Sequence, residues 1–415
     1  MSMEGLREEI DKTDSAMAAL FARRMELCAQ IADEKAKSGA PVFNPQREAE
    51  MLAACGQRVP ANIAPLYREF LEKEMELSKR YQRALLRRLP ENITVGRGCL
   101  AEIGGLFNLE RKVLVVTDSG VPERYAAAAA AQCKAPLCVT LPMGEATKSL
   151  ETMRELCEKM LQAGFDRGDC VLAVGGGMVG DIAGFAAASY MRGIDFYNVP
   201  TTLLAQTDSS VGGKTAANFC GVKNVLGAFH RPRAVAVDPN LLETLDERQY
   251  RNGLAEIIKT AACLDEELFS VLEHGVSTEN IDGVIRRCIF AKMSIVEADE
   301  HEAGLRRVLN FGHTIGHAAE SAAKGALLHG ECVAIGMPPM CDGGEGKRRL
   351  CAVLKKYGFE LSFSGGREAA FAALEHDKKS AEGKITAVVL KNIGEYEFVK
   401  MSTEEIKSRF EEAMK

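Results

Sequence analysis

Histidines with the spacing of a metal site lie in the last third of the chain. Four of the seven histidines fall close together: His301, His313, His317 and His329. A carboxylate with two imidazoles is a sufficient ligand set for a catalytic Zn²⁺ that keeps an open position. The HxxxH pair His313 and His317 is suggestive, but a histidine in such a pair is often a hydrogen-bonded polar residue. The spacing therefore leaves open which two of His313, His317 and His329 bind metal.

A carboxylate precedes this cluster. Glu256-Ile-Ile-Lys259 places a carboxylate and an ammonium three residues apart, where side chains of one helix are neighbours. The same spacing is also typical of a surface ion pair.

A glycine-rich turn follows an apolar run in the middle of the chain. Val171 to Val174 leads into Gly175-Gly-Gly-Met-Val-Gly180-Asp181, a GxGxxG spacing. Glycines there let the backbone approach a pyrophosphate at a helix N-terminus, although a tight strand-to-helix turn without a ligand has the same spacing. Asp118, at the end of an earlier predicted strand, is well placed for a ribose hydroxyl and favours a dinucleotide.

Polar loops flank this turn. Gly144-Glu145-Ala-Thr-Lys148-Ser149 offers one carboxylate and one ammonium, and Pro200-Thr201-Thr202 offers two hydroxyls. Asp208-Ser-Ser-Val-Gly212-Gly213-Lys214-Thr215 imitates part of a phosphate loop without its full spacing. We interpret Lys214 as a contact for a substrate phosphate rather than the lysine of a nucleoside triphosphatase.

Composition and charge narrow the class of protein. The 415 residues are 47% hydrophobic and 27% charged, as in a globular protein, and we expect three domains. The net charge of -6 gives no general attraction to nucleic acid or anionic lipid. Thirteen scattered cysteines without a CxxC pair indicate reduced thiols. No apolar run resembles a signal or a membrane span, so we expect a cytoplasmic protein.

Helical periodicity extends over the first 90 residues. Apolar residues recur there at three- and four-residue spacing. Three helices are predicted: one ending at Gly39-Ala40-Pro41, one opening at Asn44-Pro45, and one from about Ile63 to Arg88. Helices this long and thin do not close a good core alone, so we expect residues 1–89 to form an all-helical domain that pairs with a second copy.

After Leu89-Pro90 the pattern changes to short β-branched runs separated by helices, which is typical of an α/β domain with a parallel sheet. Strands are predicted at Ile93–Val95, Val113–Thr117, Leu137–Leu141, Cys170–Val174, Phe196–Val199 and Ala234–Val237. We expect this domain to cover 90–240. A mainly helical domain follows over 241–415, with a late hairpin formed by Ile385–Leu390 and Tyr396–Val399.

The order of motifs from residue 91 to about 400 resembles the 3-dehydroquinate synthase family. The matching motifs are GEATKS, GGGMVGD, YMRG, PTTLLAQTDSSVGGKT, KNVLGAFHRP, GLAEIIK, ADEHEAGLRRVLNFGHTIGHAAE and HGE. The resemblance implies a Rossmann-like NAD-binding domain before a helical metal- and substrate-binding domain. It also implies bound NAD and Zn²⁺ or Co²⁺, with Glu256, His313 and His329 as metal ligands.

The same resemblance implies two further sets of contacts. The NAD contacts are Asp118, Glu145, Lys148, Gly176, Gly177, Asp181, Thr201 and Thr202. The substrate contacts are Asp208, Lys214, Lys223, Asn224, Lys259, Lys292, Arg306, Asn310, Lys378 and, for the phosphate, His317, with Arg192 reaching across a dimer interface.

The implied reaction converts a phosphorylated heptulosonate into 3-dehydroquinate. It runs through transient oxidation by NAD, β-elimination of phosphate, reduction and intramolecular aldol closure, and the departing phosphate itself accepts a proton. One departure from the family pattern is visible: Pro338-Pro339 and Asp342-Gly343-Gly344-Glu345-Gly346 stand where a helix usually continues, so we expect altered helix packing there.

Residues 4–88 resemble the all-helical type of chorismate mutase through LREEIDKTD, FARRMELCAQIADEK, PQRE and SKRYQ. Ser78 and Gln82 stand at i and i+4, on one helix face. The resemblance implies these contacts to chorismate: Arg24, Arg47 and the partner's Arg7 to the carboxylates with Ser78 assisting, Lys35 and Gln82 to the ether oxygen, and Glu48 to the ring hydroxyl. Asn44 stands where the family often has an acidic residue, so we expect weaker local tuning without loss of activity.

Two alternatives stay open beside this bifunctional interpretation. The main part of the chain also suits a related sugar-phosphate cyclase or a polyol dehydrogenase, although Lys292, Arg306 and Asn310 favour a phosphorylated acid. The first 90 residues also suit a dimerisation module or a regulatory binder of chorismate or prephenate, although the set of Lys35, Glu48 and Gln82 favours catalysis.

Overall fold

Two compact units make up the chain: Met1–Glu91 and Asn92–Lys415. The structure is a computed structural model that describes residues 2–376 and 384–414. The fold class is confirmed: a helical first part precedes a central α/β part with a parallel sheet and a mostly helical last part. The boundary near residue 240 stays a prediction. Among the described residues, no helix is both long and apolar enough to cross a membrane.

The first unit consists of helices. They are α1 (Met3–Ser38), α2 (Pro45–Ala54) and α3 (Ala64–Leu86). Ser2 caps α1 through a bond from Gly5 N, and Gly39 ends it with a φ of 71°. Asn44 Oδ1 caps α2 by accepting from Arg47 N at 3.0 Å. The predicted helices are confirmed, and these capping residues explain why the ends of α1 and α2 could be predicted from the sequence.

Little of the first unit is buried. Its hydrophobic core cluster consists of Cys55, Leu71 and Met75. Large apolar side chains on α1 and α3 remain exposed, for example Leu20 at 71% and Leu66 at 65%. An apolar helix face of this kind favours pairing with another surface, and the pairing itself stays a prediction.

The second unit begins with a parallel sheet and a separate hairpin. The strands are β1 (Ile93–Val95), β2 (Lys112–Asp118), β3 (Ala135–Leu141), β4 (Cys170–Gly175), β5 (Asp195–Pro200), β6 (Lys214–Phe219), β7 (Val222–Phe229) and β8 (Ala234–Val237). The helices among them are α4 (Ile103–Leu106), α5 (Glu123–Ala130), α6 (Leu150–Gln162) and α7 (Gly177–Ser189). In the described residues the sheet has the order β1-β8-β5-β4-β2-β3, and all its pairs are parallel.

Both faces of this sheet are covered. Leu114 and Val171 belong to a core cluster on one face, whereas Val115 and Leu172 belong to a cluster on the other. Every residue of β4 is buried. Strands buried on both sides are continuous apolar runs, which is why the central strands β2 and β4 are recognisable in the sequence, whereas the edge strand β3 is mostly exposed.

The antiparallel pair β6 and β7 was not predicted. Its register joins Lys214 to Phe229, and Cys220 and Gly221 form the turn with φ values of 50° and 79°. Two left-handed residues are what a tight hairpin turn requires. Glycines and polar residues interrupt the alternation, so the sequence conceals the strands. Lys214 begins β6, and its role as a contact for the substrate phosphate stays a prediction.

The last part of the second unit is mainly helical. Its elements are α8 (Glu247–Leu264), α9 (Glu266–His274), α10 (Ile281–Ala298), α11 (His313–Ala323), α12 (His329–Gly336), α13 (Gly344–Lys356), α14 (Arg367–His376), β9 (Lys384–Asn392), β10 (Glu395–Ser402) and α15 (Thr403–Ala413). The predicted late hairpin is confirmed as the antiparallel pair β9 and β10. Helix α12 ends before Pro338–Met340, a short 3-10 turn, because the prolines cannot continue the α-helical bonding.

Candidate active sites

A crevice lies at the carboxyl edge of the parallel sheet. The strand order reverses between β2 and β4, because β3 lies beyond β2 while β5 and β8 continue from β4 in the other direction. In open α/β sheets, ligands bind outside the carboxyl ends of the strands at such a point. Asp118 ends β2, Gly175 ends β4 and Thr201 follows β5, so the predicted dinucleotide residues share this edge.

The glycine turn leaves room for an anion at the start of α7. A Cβ on Gly176 would lie 3.1 Å from Thr202 Cγ2, and one on Gly177 would lie 3.0 Å from Ser209 Oγ. Gly176 is the N-cap of α7, and among the described residues no side chain caps this end. The first amides of a helix have no partner within it, so this turn fits a pyrophosphate.

A buried lysine lies in the same region. Lys148 is 4% exposed, and its Nζ lies 2.6 Å from Asp181 Oδ2 and also donates to Asn224 Oδ1. Asn218 Nδ2 donates to Glu145 Oε1 at 2.9 Å. Burial raises the pKa of Asp181, and the charge of Lys148 opposes that rise. Predicted NAD contacts are thus brought together with Asn224, a predicted substrate contact.

Three helices bring a carboxylate and two imidazoles together. Glu256 comes from α8, while His313 and His329 are the first residues of α11 and α12. His313 Nε2 lies 3.4 Å from Glu256 Oε1, and His329 Nε2 lies 3.3 Å from the same oxygen. Tetrahedral ligands at about 2.0–2.1 Å from a zinc ion would lie roughly 3.3–3.4 Å apart. The spacing of this cluster therefore fits a bound divalent metal.

The other nitrogen of each imidazole has an acceptor. His313 Nδ1 lies 3.1 Å from the carbonyl oxygen of Phe311, and His329 Nδ1 lies 3.1 Å from Glu320 Oε2. A carbonyl only accepts, so His313 carries its proton on Nδ1, and the carboxylate favours the same tautomer for His329. The Nε2 of His313 is then free to bind metal next to Glu256. Burial alone would lower the pKa of His329, but Glu256 and Glu320 raise it to about 10, so a metal at its Nε2 would replace a proton.

The carboxylate of Glu256 is buried and has an ion pair but no aligned hydrogen bond among the described residues. Glu256 is 1% exposed, and within the described residues neither of its oxygens has an aligned hydrogen bond. Lys259 forms an ion pair with Oε2. Burial alone would raise the pKa of Glu256, but Lys259, followed by His313 and His329, holds it well below its ordinary value. A buried, ionised carboxylate without hydrogen bonds is well suited to a metal ion.

Glycines allow the helices to approach this closely. A Cβ on Gly330 would lie 2.1 Å from Asn252 O on α8, and one on Gly336 would lie 2.1 Å from Gly312 O next to α11. Any larger residue would push α12 away from its neighbours. The positions of His329 and His313 beside Glu256 thus depend on these contacts.

Buried cations lie near Asp208, a carboxylate that interacts electrostatically with Glu256 and Lys259. Lys292 Nζ lies 2.8 Å from Asp208 Oδ1, and Arg306 donates to the carbonyl oxygen of Gly212 at 3.2 Å. Burial alone would raise the pKa of Asp208, but Lys292 and Lys259 lower it. These charges are available for an anionic substrate.

Two predicted substrate contacts meet at a carboxylate that was not predicted. Asn310 Nδ2 donates to Glu302 Oε1 at 2.5 Å, and Lys214 forms an ion pair with Glu302. Similarly, Lys223 Nζ lies 2.6 Å from Glu320 Oε1. Glu302 and Glu320 lie in the quoted motif run, but only their three-dimensional contacts reveal them.

The remaining predicted residues lie at different places. His317 is exposed on α11, with its ring centroid 5.1 Å from that of His313. Arg192 is exposed in a turn with a φ of 70°. His301 contacts the Phe229 ring edge-on at 5.2 Å. Lys378 lies outside the described residues.

The first unit has a second group of facing polar side chains. Lys35 Nζ donates to Gln82 Oε1 at 3.1 Å and to the carbonyl oxygen of Val42 at 2.6 Å, so α1 and α3 meet there. Arg24 donates to Ser78 Oγ, and Ser78 and Gln82 lie on one face of α3, as their spacing predicts. Burial lowers the pKa of Lys35. Arg7 and Arg47 are exposed.

Two partners in this group were not predicted. Arg24 Nε lies 3.1 Å from Glu74 Oε1, and Lys79 Nζ lies 3.0 Å from Glu48 Oε1. Glu74 is four residues before Ser78 on α3, so helical spacing is a signal that could have identified it. Lys79 is three residues before Gln82, so helical spacing places it on the same side of α3, but spacing alone does not reveal its pairing with Glu48 on α2.

The fold and these clusters define an enzyme class in which a parallel α/β sheet with a glycine turn is joined to helices that carry a carboxylate–histidine cluster. Family profiles match the chain: 3-dehydroquinate synthase N-terminal at residues 138–252, 3-dehydroquinate synthase C-terminal at 253–380, and chorismate mutase type II at 6–83. A 3-dehydroquinate synthase of Enterococcus faecalis is 40% identical over 339 residues, which are 76% of this chain and 94% of that protein.

Solved structures agree. A 2-deoxy-scyllo-inosose synthase complexed with carbaglucose-6-phosphate, NAD+ and Co²⁺ is 28% identical with a TM-score of 0.72, over 78% of this chain and 96% of that one. A 2-epi-5-epi-valiolone synthase from Streptomyces hygroscopicus with NAD+ and Zn²⁺ bound is 30% identical with a TM-score of 0.71, over 79% and 97%.

The chain belongs to the 3-dehydroquinate synthase family. Its residues 6–83 form a chorismate mutase type II domain, so it is a bifunctional enzyme of the shikimate pathway. Both resemblances drawn from the motifs are confirmed.

Proposed function

We propose that the second unit converts 3-deoxy-D-arabino-heptulosonate 7-phosphate into 3-dehydroquinate and phosphate. The observation that carries this proposal is the cluster of Glu256, His313 and His329, in which both Nε2 atoms face one buried carboxylate. These three residues would hold Zn²⁺ or Co²⁺. The residues at the sheet edge, among them Asp118, Gly176 and Lys148, would hold NAD. When bound, the dinucleotide supplies a reversible hydride acceptor and the metal supplies a Lewis acid.

The protein's own residues would bind and orient the substrate. Buried Arg306 and Lys292 provide fixed cations for its carboxylate and phosphate, and desolvated cations bind anions more strongly than exposed ones. Lys259 keeps Glu256 ionised. Holding the substrate in one geometry allows its phosphate oxygen to take the neighbouring proton, so no separate base is required.

We also propose that the first unit rearranges chorismate to prephenate. A unimolecular rearrangement requires no nucleophile, only a pocket that fixes the reactive conformer and stabilises charge on the ether oxygen. Lys35 and Gln82 supply adjacent donors for that oxygen. Arg24, Arg47 and the partner's Arg7 would hold the carboxylates. This arrangement requires a homodimer formed through the exposed apolar faces of α1 and α3, and we propose that it works in the cytoplasm.

Two assays on the full-length protein test these proposals. With NAD and Zn²⁺ present, phosphate should be released from the heptulosonate phosphate without accumulation of NADH, and chorismate should disappear in a separate assay. Glucose 6-phosphate, offered in parallel, tests a related cyclase. Phosphate release from glucose 6-phosphate but not from the heptulosonate phosphate would contradict the synthase proposal. NADH formed at every turnover would also contradict it. Lack of chorismate turnover would leave the first unit as a binding or dimerisation module.

A further inference from the structure

Glu320 on α11 joins two parts of the candidate synthase site. Its Oε2 accepts from His329 Nδ1 at 3.1 Å, and its Oε1 lies 2.6 Å from Lys223 Nζ. The side chain of Glu320 is 13% exposed, so its carboxylate is largely shielded from water, whereas Lys223 reaches it from a half-exposed position. One carboxylate thus contacts a proposed metal ligand and a proposed substrate contact at the same time.

The contact between Glu320 and His329 decides which nitrogen of His329 is available to bind a metal. When a metal takes the place of the proton on Nε2, which lies 3.3 Å from Glu256 Oε1, the remaining proton stays on Nδ1 and is directed at Glu320. His313 is held in the same way, but by the carbonyl oxygen of Phe311. A backbone carbonyl cannot be removed by mutation, whereas the carboxylate of Glu320 can.

The contact to Lys223 comes from a different element. Lys223 lies on β7, and its side chain is 51% exposed, so the ion pair is the feature that directs its flexible stem toward α11. Releasing the pair would leave the ammonium to move freely in solvent. A lysine already held near the cluster loses less conformational entropy when it binds a phosphate.

We propose that Glu320 is a positioning residue that holds His329 in its metal-binding tautomer and holds Lys223 ready for the substrate phosphate. This inference rests on the proposed synthase function. It predicts that one substitution weakens metal binding and substrate capture together.

A rival arrangement uses the same atoms differently. His317, Glu320 and His329 also offer ligand atoms within 4.8 Å of one another, so Glu320 could bind a metal directly. The two arrangements differ in the other residues they require. Direct binding needs His317, whereas positioning needs Glu256 and His313.

The test is zinc affinity, measured by competition with a chromophoric chelator on metal-free, full-length protein without substrate. Glu320→Gln should weaken zinc binding about 10- to 100-fold, the range for residues that orient a metal ligand. A glutamine is uncharged, so even when its oxygen accepts from His329 it no longer raises the basicity of that ligand as the carboxylate does, and its single acceptor oxygen cannot occupy both positions of the carboxylate oxygens. Glu273→Gln is the matched control, because it removes a carboxylate paired with Arg349 and should leave zinc affinity unchanged.

Further variants separate the two contacts. Lys223→Met should leave zinc affinity unchanged and raise KM for the phosphorylated substrate, while Glu320→Gln should change both. If Glu320→Gln does not fold, Glu320→Asp keeps the charge but shortens its reach, and it should weaken zinc binding in the same direction.

Each remaining outcome is decisive. Unchanged zinc affinity in folded Glu320→Gln or Glu320→Asp would overturn the inference. A loss of zinc in His317→Ala, with normal binding in Glu256→Gln, would replace it by direct ligation. Wild-type protein that binds no zinc would overturn the proposed function itself, which distinguishes that failure from failure of the inference alone.

Discussion

The two candidate sites handle charge in different ways. In the first unit, the side chain of Arg24 is 27% exposed and those of Glu48 and Lys79 are each 23% exposed. In the second unit, Glu256 and Lys259 are 1% and 2% exposed. Water stabilises the first set, whereas the second set depends on partners held in place by close helix packing.

This difference corresponds to the chemistry proposed for each site. A pericyclic rearrangement needs charges that can exchange one partner for the substrate, and Arg24 can exchange Glu74 or Ser78 for a carboxylate. A metal site needs ligands that do not move, so its carboxylate is enclosed by α8, α11 and α12. The comparison predicts that substitutions act on one reaction at a time.

The largest effect is expected for Glu256→Gln. Loss of this ligand should abolish zinc binding and lower phosphate release by about 10³-fold or more, because several kcal/mol of transition-state stabilisation depend on the metal. Phosphate release and zinc content are measured together, and chorismate turnover in the same sample is the control. Phosphate release near the wild-type rate would show that the buried cluster is not the metal site.

The second-largest effect on catalysis is expected for Lys35→Ala. Removing the donor to the ether oxygen should lower kcat for chorismate by about 10²- to 10³-fold, as for other donors to a developing negative charge. The loss of chorismate absorbance measures this rate, and phosphate release in the same preparation should be unchanged. Normal chorismate turnover would remove Lys35 from the site.

Lys79→Met tests how much the site of the first unit depends on the orientation of Glu48. Without the ammonium 3.0 Å away, Glu48 is no longer directed, and kcat/KM for chorismate should fall roughly 10-fold, the equivalent of one charged hydrogen bond. Lys73→Met on the same helix, which loses an exposed pair with Glu76, is the control. Equal kinetics in the two variants would mean that the contact to Glu48 has no catalytic role.

The smallest effect concerns an ion pair outside either site. The hydrogen bond from Arg349, with Nε 2.7 Å from Oε1, lowers the pKa of Glu273 below its ordinary value. The pair therefore stabilises the fold above about pH 4.3, and this contribution disappears as the pH falls through the lowered pKa. Glu273→Gln should lower the free energy of unfolding by about 0.5–1 kcal/mol at pH 7.

Urea unfolding at pH 7 and in acid measures this contribution. The difference between Glu273→Gln and the wild type should shrink as the pH is lowered. A difference that grows in acid would contradict the assigned direction of the pKa shift.

Local signals in the sequence determined most of the elements. Ser2, Gly39 and Asn44 define the limits of helices through bonds to residues a few positions away, and the apolar runs of β2 and β4 identify strands buried on both faces. The glycine turn with Asp118 was also predictable, because the carboxyl ends of parallel strands meet at one edge. The hairpin of β6 and β7 was not predicted, because glycines and polar residues interrupt the alternation of apolar and polar residues in its strands.

What only the tertiary structure decided are the partnerships between distant residues. Spacing could not choose between His317 and His329 as neighbours of Glu256, because that choice depends on how closely α12 packs on α8 at Gly330. Glu320 and Lys79 have partners on other elements, and their helical spacing to His317 and Gln82 does not reveal those partners. Helix and strand formation depend on neighbours in the chain, whereas a site of buried charges depends on packing between elements far apart in sequence.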